Sequence, residues 1–242
     1  MKKIVLATLV ATSFGMADFI GGEINVGYYN HAPSGSAEYK DGGSVDVEDD
    51  LKLDTSNDIF FKAYFEHPVP IIPNIKIGYT DFSHSGKGTV TAFTWGNIIN
   101  ITDSVDTKLD LKMYDIALYY ELLDNWINLD VGLNVKFIDG SIDIKTTTEH
   151  EHTDFNAPIP MLYGKARLDI PATDVSFQAE GNYISYSGNT LYDLELGARY
   201  TFALGLGVEA GYKIFKLKLD DIDDLTMNAD FSGAYGKVVW DF

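Results

Sequence analysis

The sequence predicts an all-β fold: a single antiparallel transmembrane β-barrel of about ten strands. A removable leader, period-two alternation of apolar and polar residues, and aromatic clusters near the predicted strand ends support it. The 242 residues include 18 Lys+Arg, 36 Asp+Glu and no cysteine. This acidic excess disfavours nucleic-acid binding, which needs basic patches. The lack of cysteine excludes disulfides and zinc–thiolate sites.

Residues 1–17 have the features of a secretory signal peptide. Lys2 and Lys3 give a positive start, residues 4–14 are an apolar stretch, and small residues stand at Gly15 and Ala17 before the cleavage point. The sequence therefore predicts an exported protein whose barrel domain covers residues 18–242.

Strict alternation predicts the strands. In 127–137 every odd-numbered residue is apolar and those between are polar or glycine. The segments 192–202 and 204–214 repeat the pattern on even-numbered residues. Strands of about ten residues with this alternation fit a barrel with lipid outside and a polar lumen. The ten predicted strands lie near 19–30, 57–67, 74–84, 108–122, 126–145, 158–170, 175–186, 190–202, 205–219 and 227–242.

Short and long connections alternate between these strands. An even strand count places both ends of the barrel domain with the short turns, which face the periplasm in such barrels, while the longer links face outward. Eight strands is the alternative if two segments belong to loops. The alternation of 45–54 also predicts a hairpin above the membrane. The predicted short turns are 67–74, 123–125, 171–174 and 203–204, and the longer links are 31–56, 85–107, 146–157, 187–189 and 220–226.

A soluble barrel of the lipocalin type also alternates, but with its apolar residues inside. The aromatic residues favour a membrane barrel, because two belts of them match the girdles that flank the apolar band of such barrels. One belt, beside the short turns, comprises Trp126, Tyr200, Phe202, Trp240 and Phe242; the other comprises Tyr28, Tyr79, Tyr183 and Tyr212.

The last predicted strand places Trp240 and Phe242 on its apolar face. It resembles the terminal strand of bacterial outer-membrane β-barrels, and the resemblance implies that this strand is the recognition signal for the barrel-assembly machinery. The stretches 19–23, 48–51 and 65–75 are similar to a functionally uncharacterised family of small Gram-negative outer-membrane proteins. That similarity implies an outer-membrane location, among outer-membrane lipids and lipopolysaccharide, and supplies no catalytic residues.

Inward-facing positions carry charges of both signs. We expect them to pair across the lumen, because unpaired charge in a confined space costs several kcal/mol, and about ten strands leave a lumen that side chains nearly fill. We expect a structural or surface-interaction role, without enzymatic activity or a cofactor. The alternative is a narrow channel for small solutes that favours cations, because the lumen and its mouths are acidic. The predicted ion-pair network comprises Glu23, Lys62, Lys136, Lys165, Arg167, Asp193, Glu195, Arg199, Glu209, Lys213 and Lys237.

The histidines offer two further hypotheses. Asp81, Ser83 and His84 would lie at the outer rim, as in a lipid A- or peptide-modifying enzyme, but Ser83 and His84 point to opposite faces of a strand and so cannot act as a nucleophile and its base. His150 and His152 share a face and are a candidate pair of metal ligands, although a closed zinc site needs four.

Acidic residues are concentrated in the first and last long links. Their carboxylates predict attraction of divalent cations at the cell surface, although no calcium-loop spacing is present. These residues are Glu38, Asp41, Asp46, Glu48, Asp49, Asp50, Asp54, Asp220, Asp221, Asp223 and Asp224.

Overall fold

The computed structural model describes residues 21–40, 43–222 and 224–242, so the predicted signal peptide lies outside the described residues. No helix among the described residues is long and apolar enough to cross a bilayer. The strands of the described residues are β1 (Gly21–His31), β2 (Ser34–Tyr39), β3 (Val45–Asp46), β4 (Ser56–Glu66), β5 (Asn74–Trp95), β6 (Ile98–Leu123), β7 (Ile127–Lys145), β8 (His150–Asp169), β9 (Val175–Tyr186), β10 (Asn189–Thr201), β11 (Leu206–Ile222), β12 (Leu225–Asp230) and β13 (Gly233–Asp241).

Ten of these strands close into one antiparallel barrel. The order is β10, β9, β8, β7, β6, β5, β4, β1, β13 and β11, and β11 pairs back with β10. The predicted fold class and strand count are confirmed. Closure pairs each of these strands with two neighbours along the part next to the short turns. A β-structure needs this pairing in hydrocarbon, where no water is available to the backbone.

The predicted short turns lie at the end of the barrel where β1 begins and β13 ends. There Gly22 and Phe242 exchange two backbone hydrogen bonds of 2.9 Å each. Several of the predicted long links differ from the prediction, because much of their length is strand. β5 and β6 continue to a turn at Gly96–Asn97, so most of 85–107 is paired. β2 and β3 lie in the first link, and β2 pairs with β12.

The apolar face changes sides along each long strand. On β7, Leu133 and Phe137 point outward and are followed on that face by Asp139. On the inward face, Lys136 is followed by Ile138. The strand therefore has apolar residues outside and polar residues inside over its first half, and the reverse over its second half.

The same exchange occurs on β11. Its outward face passes from Ile214 to Lys216, and its inward face passes from Lys213 to Phe215. We call the part of the barrel on the short-turn side of this exchange the membrane section, and the part beyond it the surface section. The membrane section has a lipid-compatible exterior, whereas the surface section is built like a soluble protein.

The outward face of the membrane section is apolar, and aromatic residues flank it at both ends. The large outward-facing apolar side chains there are about half exposed. This band and its flanking aromatics are those of a barrel that spans a bilayer. The flanking aromatics include Tyr28, Tyr114, Phe137, Tyr183 and Tyr212 at the surface side, and Phe65, Trp126, Phe177, Tyr200, Phe202, Trp240 and Phe242 at the short-turn side.

The surface section encloses an apolar core. Phe82 lies 5.5 Å from Phe215 and 5.8 Å from Phe231, measured between ring centroids. Farther out, Tyr39 of β2 packs on Trp95 at 5.7 Å. Burial of each such side chain favours folding by about 1.5–3 kcal/mol. The strands beyond the membrane are therefore held together by a core of their own.

Candidate functional site

Ion pairs cross the lumen of the membrane section. Glu180 of β9 receives Lys62 of β4 at 3.0 Å and also pairs with Lys76 of β5. The Tyr64 hydroxyl donates to the same carboxylate at 2.7 Å. Alternation on β4, β5 and β9 points all four side chains inward, and barrel closure brings β9 opposite β4.

A second group is centred on Arg199 of β10. Its guanidinium lies 3.1 Å from Glu23, 3.0 Å from Glu209 and 3.3 Å from Asp241. Glu209 also pairs with Lys237 at 2.9 Å. The planar, permanently charged guanidinium is suited to several carboxylates at once.

Two further groups complete the network. Glu195 receives Lys62 at 2.8 Å and Lys213 at 3.2 Å. Lys136 lies between Asp115 and Asp193, at 2.8 and 2.9 Å. Lys62 links Glu195 to Glu180. Lys237, which lies 3.6 Å from Glu195, links it to Glu209. These three groups therefore form one connected layer, and the Lys136 group lies beside it.

The structure places all eleven side chains of the predicted network in the lumen, each with an ion-pair partner. The ammonium of Lys165 lies 3.7 Å from the Glu23 carboxylate. Arg167 pairs with Asp169 at 2.8 Å. The alternation analysis did not include the inward-facing tyrosines, because tyrosine is common on both faces of a barrel.

Tyrosine and glycine fill the space between the charges. The Tyr235 hydroxyl donates to Glu209 at 2.6 Å. Gly197 leaves room for it, because a Cβ at that position would lie 2.2 Å from the hydroxyl oxygen. The ammonium of Lys76 stands 4.9 Å from the Tyr163 ring centroid. Gly197 therefore accommodates the bulky side chain of Tyr235.

A polar vestibule opens below this layer, at the short-turn end. It has a volume of about 390 Å³ and is lined by charged side chains that include Glu66, Glu121, Asp130, Lys165 and Arg167. Tyr119 donates its hydroxyl to Glu66 at 3.1 Å. Solvent from this end therefore reaches the lower side of the ion-pair layer.

The residues of the enzyme hypothesis are separated by the β5 backbone. Ser83 points outward and donates to Asp110 at 2.7 Å. His84 is buried on the inward face, and its Nδ1 lies 2.9 Å from the backbone oxygen of Asp54. Burial lowers the pKa of His84. Adjacency in sequence therefore does not bring this hydroxyl and imidazole together.

The structure brings together a cluster that the sequence analysis did not identify. His31 Nε2 lies 2.9 Å from Asp58 Oδ2, and the rings of His31 and His84 meet edge to face at 4.7 Å. Both histidines are about 1% exposed. His31 ends β1, Asp58 lies near the surface end of β4, and His84 lies midway along β5. Only the register of these strands shows that the three side chains meet.

His150 and His152 lie on the outer face of the surface section. Asp143 of β7 contacts His150 Nε2 at 2.9 Å and His152 Nδ1 at 3.1 Å. Asp154 lies 2.9 Å from His152 Nε2. The hydrogen bond that the His152 ring donates to the Asp143 carboxylate raises the pKa of His152. The geometry is that of exposed histidine–carboxylate pairs; metal binding here remains a prediction.

Some carboxylates of the first acidic link accept hydrogen bonds from nearby backbone N–H groups. Asp46 accepts the backbone N–H groups of Glu48 and Asp49 at 2.9 and 2.6 Å, and Asp50 accepts that of Asp46 at 2.8 Å. Asp41 and Asp223 fall outside the described residues. Cation attraction by these links remains a prediction.

No protein-family model matches the sequence, and no curated protein matches it. Solved structures do match the fold. The outer-membrane protease OmpT from Escherichia coli is similar at a TM-score of 0.52 and 12% identity, over 94% of this chain and 98% of that one. The translocator domain of the autotransporter NalP from Neisseria meningitidis is similar at a TM-score of 0.50 and 9% identity, over 99% and 95%.

At these identities the likeness concerns the fold alone. The fold is that of the β-barrels of the Gram-negative outer membrane. The alternation and the aromatic belts predicted a transmembrane barrel, and the resemblance of the last strand implied this class. The apolar exterior of the membrane section independently requires a bilayer around it.

Proposed function

We propose that this protein is an integral outer-membrane β-barrel with an occluded lumen, which acts structurally or through its surface section and performs no catalysis. One observation carries the proposal: two layers fill the barrel in series. The ion-pair layer crosses the membrane section, and the apolar core around Phe82, Phe215 and Phe231 lies directly beyond it.

These layers oppose ion passage for different reasons. A permeating ion would have to displace paired charges in the first layer. It would then have to lose its hydration to cross an apolar core, which costs far more than any contact there returns. Each layer alone would reduce conductance, and together they support a closed barrel.

Conductance of the refolded barrel in planar bilayers tests the proposal. We expect no stable unitary openings in about 1 M KCl, because neither layer leaves a hydrated path. A porin inserted in the same bilayers controls for the assay, and protection of the barrel from added protease confirms insertion. Long-lived openings of uniform size would overturn the proposal.

The acidic vestibule favours the cation channel as the second candidate. Carboxylates, Glu66, Glu121 and Asp130 among them, outnumber Lys165 and Arg167 at its wall. This excess would attract cations to the short-turn end. If openings occur, reversal potentials in a salt gradient should show cation preference, and Asp193→Asn or Glu209→Gln should reduce it. Unchanged selectivity in both variants would exclude a lumen path.

The proposal extends to assembly and surroundings. Trp240 and Phe242 point outward at the end of β13, with ring centroids 5.0 Å apart. This supports a role of the last strand as the signal read by the barrel-assembly machinery, with lipopolysaccharide and other outer-membrane lipids around the finished barrel. Replacing both aromatics by alanine should reduce the folded fraction in cells more than it reduces spontaneous refolding in detergent.

A further inference from the structure

We propose that His31, Asp58 and His84 form a binding site for a divalent transition-metal ion of the Zn²⁺ class, just inside the surface section. Each residue offers one ligand atom, and these atoms all lie within 4.8 Å of one another. Two imidazoles and one carboxylate are a donor set that Zn²⁺ accepts, with water in the fourth position.

The orientation of His84 is that of a ligand. Its Nδ1 lies 2.9 Å from the Asp54 carbonyl oxygen, which can only accept a hydrogen bond, so Nδ1 carries the proton. The other nitrogen, Nε2, is then a lone-pair donor, and it is buried without a hydrogen-bond partner among the described residues. A backbone carbonyl that fixes the tautomer of a histidine is the usual outer partner of a metal ligand.

His31 and Asp58 supply the other donors. His31 Nε2 donates a hydrogen bond to Asp58 Oδ2 at 2.9 Å. Binding of the ion would replace this hydrogen bond and move the His31 proton to Nδ1, which is buried without a partner among the described residues. Metal–nitrogen bonds of about 2.0–2.1 Å in a tetrahedron separate ligand atoms by roughly 3.3 Å. A small rotation of the imidazoles toward a shared ion therefore completes the site. The rings of Tyr29 and Phe82, each 4.3 Å from that of His31, form an apolar wall that shields the ion.

The strand pairing leaves a route to this site. β4 and β5 are paired only from Phe60 opposite Thr80 downward. Above that pair, the slit between the strands is closed again by the Asp54 N–H donating to Ser85 at 3.0 Å. Asp58 lies at the slit, and on the outer side it borders a depression of about 600 Å³.

The depression favours cations. Asp81, Asp110, Asp139 and Asp154 line it, alongside Lys108 and Lys112. Its net charge attracts a divalent ion from the cell exterior, and the half-buried Asp58 carboxylate connects the depression to the two buried imidazoles. The site therefore has donors, an outer partner and an entrance.

The test measures metal binding by the tag-free, detergent-refolded barrel. Zn²⁺ titration should show one ion bound per chain, and Co²⁺ substitution should give the visible absorption of a four-coordinate site. X-ray absorption of the Zn²⁺-loaded barrel should show two imidazole nitrogens and low-Z neighbours. These readouts need no variant, and absence of a stoichiometric Zn²⁺ or Co²⁺ site would overturn the proposal.

Variants then assign the ligands. His84→Phe keeps an aromatic side chain beside Phe231, whose ring lies 5.7 Å away, and should weaken Zn²⁺ binding at least about 100-fold, because it removes a direct ligand. The matched control is His150→Ala with His152→Ala, which removes the exposed histidine pair and should leave the site unchanged. Loss of binding in the control and its retention in His84→Phe would place the ion at the exposed pair and overturn the proposal.

Discussion

Arg199 shows what holds the lumen together at the scale of one residue. It is about 1% exposed and lies within 3.3 Å of three carboxylates. Replacing it with Met keeps much of its volume but leaves Glu23 and Glu209 buried with one cation fewer. We expect Arg199→Met to lower the free energy of unfolding by about 3–5 kcal/mol, measured by guanidinium titration in phospholipid vesicles.

Lys87→Met is the matched control, because Lys87 pairs with Asp106 on the exposed surface. Its effect should stay within about 0.5 kcal/mol. The loss of unfolding free energy in Arg199→Lys should lie between the losses in Arg199→Met and Lys87→Met, since lysine keeps the charge but not the planar guanidinium. If Arg199→Met is no more destabilising than Lys87→Met, the buried network does not stabilise the barrel.

His152 gives a pH prediction. Its folded-state pKa is raised, chiefly by the hydrogen bond that its ring donates to the Asp143 carboxylate. Protonation therefore stabilises the fold below the unfolded-state pKa of about 6.5, and that contribution is lost as pH rises through the folded-state pKa. Asp143→Asn should lower the His152 pKa toward its ordinary value, followed by NMR titration of the imidazole. An unshifted titration curve would show that Asp143 is not the partner.

At the scale of one strand, β7 carries the boundary between lipid and water. Leu133 is 65% exposed on the outward face of the membrane section, and Asp139 lies on the same face beyond the exchange. Leu133→Arg should destabilise the barrel by about 2–4 kcal/mol in vesicles, because it places a charge in hydrocarbon.

Asp139→Arg is the control on the same strand and should change the unfolding free energy by less than about 0.5 kcal/mol, because its side chain stays in water. Equal effects of the two substitutions would mean that the apolar band does not lie in the bilayer.

For the molecule as a whole, the sequence was sufficient wherever the signal is local. Alternation in 127–137 predicts which side chains face lipid, because successive residues of a strand point to opposite sides. The exchange of faces after Phe137 is also visible in the sequence. An apolar exterior along the whole strand predicts a loop for 85–107, whereas much of this segment is strand that lies beyond the exchange.

The histidine cluster could not be predicted from the alternation of residues. His31, Asp58 and His84 come from three strands, and their meeting depends on the register of β1 with β4 and on where β4 and β5 separate. A tight turn fixes the register of two strands, but the long link between β1 and β4 does not, so composition and period alone do not reveal which residues meet. The same holds for the partners of each lumen charge.

The vestibule is open at the short-turn end and closed at its other end. Water and small ions enter it from the short-turn end, and the apolar core beyond the charges stops them. A change of salt or acidity in the compartment below the barrel therefore reaches the lower side of the ion-pair layer. The same change on the opposite side meets the apolar core before it meets that layer. The ion pairs of the membrane section therefore respond to one compartment.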